Sequence, residues 1–315
     1  MSEHRNVALE ALRSYDVAPQ RVALAAESFN SLFRVTTASA VYALRVGSAL
    51  QIHPEGTAAV EAAWHRRLRL QRVYVPDVVA NTGGELATLV TDGRAEHKSR
   101  VCILFEWVAG RSLRTCMTQR RAAALGRLSA RLQQDGAAWS PPGAEDVLRA
   151  DRVLYWRLPD QLATAELRFG SLFADPLARA QSVVDSLWRS PPHPPHLVHG
   201  DLTPQNVIVS PLNGLVPIDF QDTVRGFEVQ DISFTVAALR RRPDGDRLTE
   251  AFRAGYSECR AWPDVSPALI DSLIAARGLQ QMNLTVNMTD IDGLESYVAG
   301  HAERVRAWMR RPDGR

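Results

Sequence analysis

The residues best suited to chemistry gather in one segment, HLVHGDLTPQNVIVSPLNGLVPIDF, residues 196–220. Asp201 sits in the turn-rich stretch His199-Gly200-Asp201-Leu202-Thr203-Pro204. There Gly and Pro make a tight excursion between apolar flanks, so a polar side chain can point into a cleft. Asn206 follows five residues later and opens the short apolar run VIVS, and a second run, LVPIDF, carries Asp219. Joined by SPLNG, the two runs predict a hairpin that brings Asn206 and Asp219 close together, so that two carboxylates and an amide oxygen converge. Carboxylates that close repel unless a cation or a shared proton intervenes. Hard oxygen ligands suit Mg2+, which takes one or two protein carboxylates and draws its other ligands from water and substrate phosphates. Asp201, outside that metal shell, is placed to accept a hydrogen bond from an attacking hydroxyl.

The order H-G-D-x-x-x-x-N, then I-D-F, then a further Asp in RGFEVQDIS resembles the aminoglycoside phosphotransferase and choline kinase family, small-molecule relatives of the protein kinases. The resemblance covers nearly the whole chain, and its signature over 199–231 is highly specific. It implies an α+β, bilobal, protein-kinase-like fold. A small antiparallel β-sheet lobe with one main helix (1–107) would bind the nucleotide, and a larger helical lobe (108–315) would carry the catalytic loop and acceptor site. It implies that Asp201 orients the acceptor hydroxyl, that Asn206 and Asp219 bind Mg2+ on the phosphates of ATP or GTP, and that His199 and Asp231 brace the catalytic loop. Arg45 in YALRV takes the third-strand position where protein kinases carry Lys, and Glu61 in VEAAWHRRL matches the helix glutamate that pairs with it. Arginine keeps the charge and binds phosphate as a fork, so the substitution changes geometry more than function.

The chain departs from the kinase template in three places. Gly200 replaces the Arg of His-Arg-Asp, and Gln221 follows IDF where Gly is usual. The nucleotide loop AAESFNSLF (25–33) has no glycine, so Ser28, Asn30 and Ser31 are the small polar groups available to phosphate. Backbone groups near Glu106–Val108, in the hinge LFEWVAG, are expected at a purine edge. For the acceptor, the acids Asp222, Glu228, Asp290, Asp292 and Glu295 are the candidates by position. The reading is a phosphotransferase acting on a small-molecule hydroxyl, whether antibiotic, amino alcohol or metabolite. Two alternatives stand beside it. IDFQDTVRGFEVQDIS also resembles the bacterial stress-response Ser/Thr kinases, and the glycine-free loop suits a nucleotide-binding protein without transfer activity.

The elements that must position these residues follow from periodicity. RVALAA, ESFNSLFRVTT and AVYALRV read as strands, the last two as a hairpin turning at Thr37 to Ala40. Leu44 and Val46 should face away from Arg45 by strand alternation. A helix spans about 55–73, with Val60, Trp64 and Leu68 at spacing four, and VPDVVAN, ELATLVT and RVCILFEWV return to strand. Beyond Ala109-Gly110 the pattern turns helical: SLRTCM, TQRRAAALGRLSARLQQ, PLARAQSVVDSLWRS, VQDISFTVAALRR, RLTEAFRAGYSECR, SPALIDSLIAARGLQQMNL and LESYVAGHAERVRAWMRR. His193, His196 and His199 are spaced by three, but Pro194 and Pro195 prevent the helix that would align them on a metal.

Composition excludes several other chemistries. The chain has 315 residues, with Lys+Arg 37 against Asp+Glu 35 and a net charge of +2, so neither a nucleic-acid coat nor a disordered chain is indicated. Lys98 is the only lysine, which removes the P-loop tripeptide and leaves a Schiff-base mechanism nowhere else to rest. Cys102, Cys116 and Cys259 lie far apart without a CxxC pair, which points to a reducing compartment. No run of about 18 apolar residues exists and the first residues lack an apolar leader core, so a cytoplasmic location without a membrane partner is expected.

Overall fold

The computed structural model describes residues 3–91, 99–164, 166–288 and 293–311. In chain order the elements are α1 (Glu3–Leu12), β1 (Arg21–Glu27), β2 (Ser31–Thr36), β3 (Val41–Val46), α2 (Thr57–Leu70), β4 (Val78–Val79), β5 (Thr88–Thr91), β6 (Ser99–Glu106) and β7 (Arg111–Ser112). There follow α3 (Gln119–Ala137), α4 (Gly170–Arg189), β8 (His196–Val198), β9 (Val207–Ser210), β10 (Gly214–Pro217), β11 (Val224–Gly226), α5 (Glu228–Arg240), α6 (Gly245–Ser257), α7 (Pro267–Asn287) and α8 (Leu294–Met309). The architecture is α+β, as expected. The chain divides into two compact units, and the division is interleaved. The first unit holds Met1–Cys116, Pro141–Asp146 and Gln205–Gln221, and the second holds Met117–Ser140, Val147–Pro204 and Asp222–Arg315.

In the first unit a six-stranded sheet runs β1-β2-β3-β6-β4, with β5 also paired to β6, and every pairing is antiparallel. The expected hairpin joins β2 to β3, closed by Thr36 opposite Val41 and by the Thr37 N–H on the Ala40 carbonyl. Strand alternation splits the side chains between two cores. Phe33, Val35, Leu44, Val46, Cys102 and Leu104 pack with Val7, Ala8, Ala11 and Leu12 of α1. On the opposite face Ile103, Phe105 and Val78 pack with Ala62 of α2. Both faces of β3 and β6 are therefore covered, and their runs are largely apolar rather than alternating. Arg45, between Leu44 and Val46, falls by this alternation on the α2 face.

A smaller sheet, β10-β9-β7, completes this unit, with Val207 opposite Pro217 and Ser210 opposite Gly214. It is the predicted hairpin of the chemical segment.

The second unit is helical, with one two-stranded ladder, β8 with β11. Thr118 caps α3 by accepting the Arg121 N–H, and Ser266 caps α7 by accepting from Leu269. Helix α4 begins at Gly170, although its sequence reads as a helix only from Pro176. A proline is tolerated best at a first turn, so it reads as a start; here it lies inside the helix, and Pro176 is buried. SLRTCM forms only a single 3-10 turn, Leu113–Cys116.

Candidate active site

In the first unit the site is built on β3, α2 and the β9–β10 hairpin. Arg45 reaches Glu61 with both terminal nitrogens, Nη1 to Oε1 at 2.8 Å and Nη2 to Oε2 at 2.5 Å. Both residues are buried, Glu61 at 1% exposure. Nη1 also lies 3.3 Å from Asp219 Oδ1. Burial alone would pull the guanidinium down, but Glu61 and Asp219 outweigh it and hold it above its ordinary value. The sequence pairing of Arg45 with Glu61 is thus met by a bidentate contact, and Phe105 lies beneath the guanidinium carbon at 5.5 Å.

Asp219 sits two residues beyond β10 with φ +64, in the left-handed region that side chains rarely adopt. Its neighbour Phe220 is fully buried against Trp64 and His65 of α2, at ring separations of 5.3 and 4.5 Å. That anchorage holds the backbone in its unusual conformation. The hairpin brings Asn206 to the same place, because the Ile218 N–H donates to the Asn206 carbonyl at 2.9 Å. A carboxylate and a carboxamide at adjoining hairpin ends are hard-oxygen donors of the kind Mg2+ takes.

The candidate nucleotide loop is closed by its own polar groups. Asn30 donates to Gln221 Oε1 at 2.6 Å and accepts the Ser48 N–H at 3.2 Å, so its amide locks the β1–β2 turn to the segment after Asp219. Ser28 is exposed in that turn. Ser31 is buried at 2% exposure, and its hydroxyl meets His4 Nδ1 at 2.6 Å. A pocket of about 70 Å3 is lined by Phe29, Asn30, Arg45, Ser48, Glu61 and Gln221, among others. At the hinge the Glu106 N–H donates to Asp77 and the Trp107 N–H to Val41, while the Glu106 carboxylate accepts from Tyr74 and Arg69. Val108 lies past the last rung of the sheet, which is Tyr42 opposite Glu106.

In the second unit Asp201 lies in the loop after β8. Gly200 has φ +77, and a Cβ there would stand 2.0 Å from the Asp222 carbonyl. Only glycine fits, which accounts for the missing Arg of the kinase template. The Gly200 N–H donates to Asp231 Oδ1 at 2.9 Å, and Asp231 Oδ2 accepts from Gln133 at 3.0 Å. Burial pushes the Asp231 carboxyl up to about 6, with the Gln133 and Gly200 bonds working the other way. His199 is fully buried, and its Nδ1 accepts the Asp201 N–H at 3.3 Å. Both residues hold the loop from behind.

Sequence reasoning missed Arg277, on α7. Its Nη2 lies 3.4 Å from Asp201 Oδ1 and 3.1 Å from Asp222 Oδ2. It is buried at 7% exposure, and its guanidinium packs on the rings of Trp156 and Phe234 at 4.7 and 4.6 Å. Burial would lower it, but Tyr155, Asp222 and Asp201 hold it above its ordinary value. Nothing in SPALIDSLIAARGLQQMNL distinguishes this arginine from a surface one. Of the candidate acceptor acids, Asp222 is held by Arg277, Glu228 by Arg260 (3.3 Å) and His193 (2.7 Å), and Glu295 by Arg168. Asp290 and Asp292 lie outside the described residues, as does Lys98.

A model of a family described as "Phosphotransferase enzyme family" matches residues 22–267. No curated protein sequence matches the chain. Among solved structures, a microcompartment-associated aminopropanol kinase is 23% identical, with a TM-score of 0.76 over 96% of this chain and 95% of that one. An amicoumacin kinase, solved with AMP-PNP, Ca2+ and Ami, is 17% identical, with a TM-score of 0.79 over 97% and 94%. A spectinomycin phosphotransferase, solved with ADP and spectinomycin, is 13% identical, with a TM-score of 0.61 over 100% and 96%.

Proposed function

The chain belongs to the phosphotransferase enzyme family, and from that membership we propose that it moves the γ-phosphate of ATP or GTP directly onto a hydroxyl of a small molecule. The observation that carries this reading is the buried Arg45–Glu61 fork with its third contact to Asp219. A surface arginine has no reason to be held by two carboxylates from a helix and a hairpin. An arginine that must present fixed positive charge beside a metal-binding aspartate does.

Asn206 and Asp219 would hold Mg2+, which supplies charge neutralisation at the phosphates when bound. Arg45, fixed by Glu61, offers its charge to the phosphate oxygens. Asp201 orients the acceptor hydroxyl and accepts its proton as the oxygen attacks the γ-phosphorus and the nucleoside diphosphate leaves with the bridging oxygen, without a covalent enzyme intermediate. Arg277 offsets the charge of Asp201 and limits where its carboxylate can sit. Catalysis by these groups is positioning and electrostatics.

The acceptor reading is narrower than the number of acids suggests. Asp222, Glu228 and Glu295 each already carry an arginine partner. Such acids have less charge to offer a polycation, and this favours an amino alcohol or another lightly charged hydroxyl compound. Purified protein with γ-labelled ATP or GTP, Mg2+ and a panel of hydroxyl compounds, with casein as a protein control, tests the proposal. Label on a small molecule is the expected result. Label only on protein, or on nothing across the panel, would contradict it.

A further inference from the structure

A second group of metal-ligating side chains lies in the second unit and includes Glu228, which its Arg260 partner makes a poor acceptor contact. His193, His196 and Glu228 each direct one ligand atom to a common point, and the three atoms lie within 4.8 Å of one another. The histidines are not aligned by a helix, which Pro194 and Pro195 forbid. The Pro-rich loop carries His193, β8 begins at His196, and α5 begins at Glu228, so loop, strand and helix each supply one ligand. His199, the third histidine of the sequence pattern, is not in this group.

The hydrogen bonds around these groups leave ligand atoms available to a metal. His193 Nδ1 lies 2.9 Å from the Pro194 carbonyl, which places the ring proton there and turns the Nε2 lone pair toward the cluster. His196 also hydrogen-bonds the Pro194 carbonyl. His196 is 7% exposed, yet its Nε2 has no hydrogen-bond partner among the described residues. Glu228 is 8% exposed and is paired with Arg260. Arg260 takes Oε1 at 3.3 Å, while Oε2 faces His193 Nε2 at 2.7 Å without the alignment of a hydrogen bond. A simple imidazolium–carboxylate pair would account for His193 and Glu228 but leaves the buried His196 nitrogen unsatisfied, an arrangement that costs free energy.

We propose that His193, His196 and Glu228 form a binding site for a divalent transition-metal ion of the Zn2+ type, with water completing the coordination. Two imidazoles and a carboxylate are a recognised zinc ligand set, and bonds of about 2.1 Å place tetrahedral ligand atoms about 3.4 Å apart, inside the range seen here. The ion would tie the start of β8 to the start of α5. Those elements carry His199–Asp201 and Asp231, so the site is a staple behind the catalytic loop. It does not depend on the protein transferring phosphate.

The test uses the full chain, stripped with chelator and titrated with Zn2+ by calorimetry in excess Mg2+, and with Co2+ followed by its visible absorption. One tight equivalent, a tetrahedral Co2+ spectrum displaced by Zn2+, and a raised melting temperature are expected. His193→Gln and Glu228→Gln, each checked for native circular dichroism, should weaken Zn2+ binding at least about 100-fold, above the effect of losing an outer-shell partner. Asp219→Asn and Cys259→Ser should leave it unchanged. Absence of a stoichiometric site in the wild type, or equal affinity in the two ligand variants, would overturn the proposal.

Discussion

At the scale of single residues, Arg45 and Asp201, both proposed to do chemistry, are held by groups that do none. Arg45 is held by Glu61, Gly200 and through it Asp201 by Asp231, and Asp201 by Arg277. Removing a partner from a buried pair leaves an uncompensated charge and costs about 3–5 kcal/mol. Arg277→Gln leaves Asp201 and Asp222 without their shared counter-charge. It should therefore lower unfolding stability on that scale and reduce turnover together, read by urea denaturation and initial rates. An unchanged denaturation midpoint would show that the guanidinium is not the counter-charge. The sequence supplies Asp201, Asn206, Asp219, Arg45 and Glu61 as candidates, because motif order and spacing survive in one dimension. It could not supply Arg277, whose importance arises only from the packing of α7 beside Asp201 and Asp222. Ser31 shows the opposite failure. It is small and polar in the expected loop, but strand alternation turns it inward onto His4.

At the scale of elements, the site depends on two turns that demand left-handed backbone, and they make a discriminating pair. Gly214 at φ +72 has nothing within 4 Å of a built Cβ, whereas Gly200 at φ +77 has the Asp222 carbonyl 2.0 Å away. Gly214→Ala should cost only the conformational penalty, about 1 kcal/mol, and leave turnover intact. Gly200→Ala must also displace the loop that carries Asp201. It should cost more than Gly214→Ala and lower turnover as well; equal effects of the two variants would contradict that distinction. The hairpins were legible because their turn residues and apolar flanks are local. Helix α1 carries a stripe at helical spacing, Val7, Ala8, Ala11 and Leu12, but so short a stripe is weak evidence of a helix until the sheet face it covers is known. The start of α4 was not legible, because an internal proline looks like a helix boundary until packing is known.

At the scale of the whole molecule, pH couples stability to the loop that carries Asp201. Burial raises Asp231 to about 6 in the folded protein, against about 3.9 for an unfolded aspartate. The folded state thus binds this proton more tightly than the unfolded state. Its contribution is fully present below about pH 4 and is lost as pH rises toward 6, by up to about 3 kcal/mol. Asp231→Asn should flatten that part of the stability profile, and parallel wild-type and variant curves from pH 4 to 7 would contradict the assignment. No described helix is long and apolar enough to cross a membrane. The central claim is that Asp201 acts on the acceptor hydroxyl while the groups around Arg45 and Asp219 serve the nucleotide. The most direct measurement is steady-state transfer by Asp201→Asn with the acceptor identified in the screen, alongside nucleotide affinity by calorimetry. The account predicts that kcat falls by roughly 10²–10⁴ while nucleotide affinity stays near wild type. Full turnover in Asp201→Asn would contradict it.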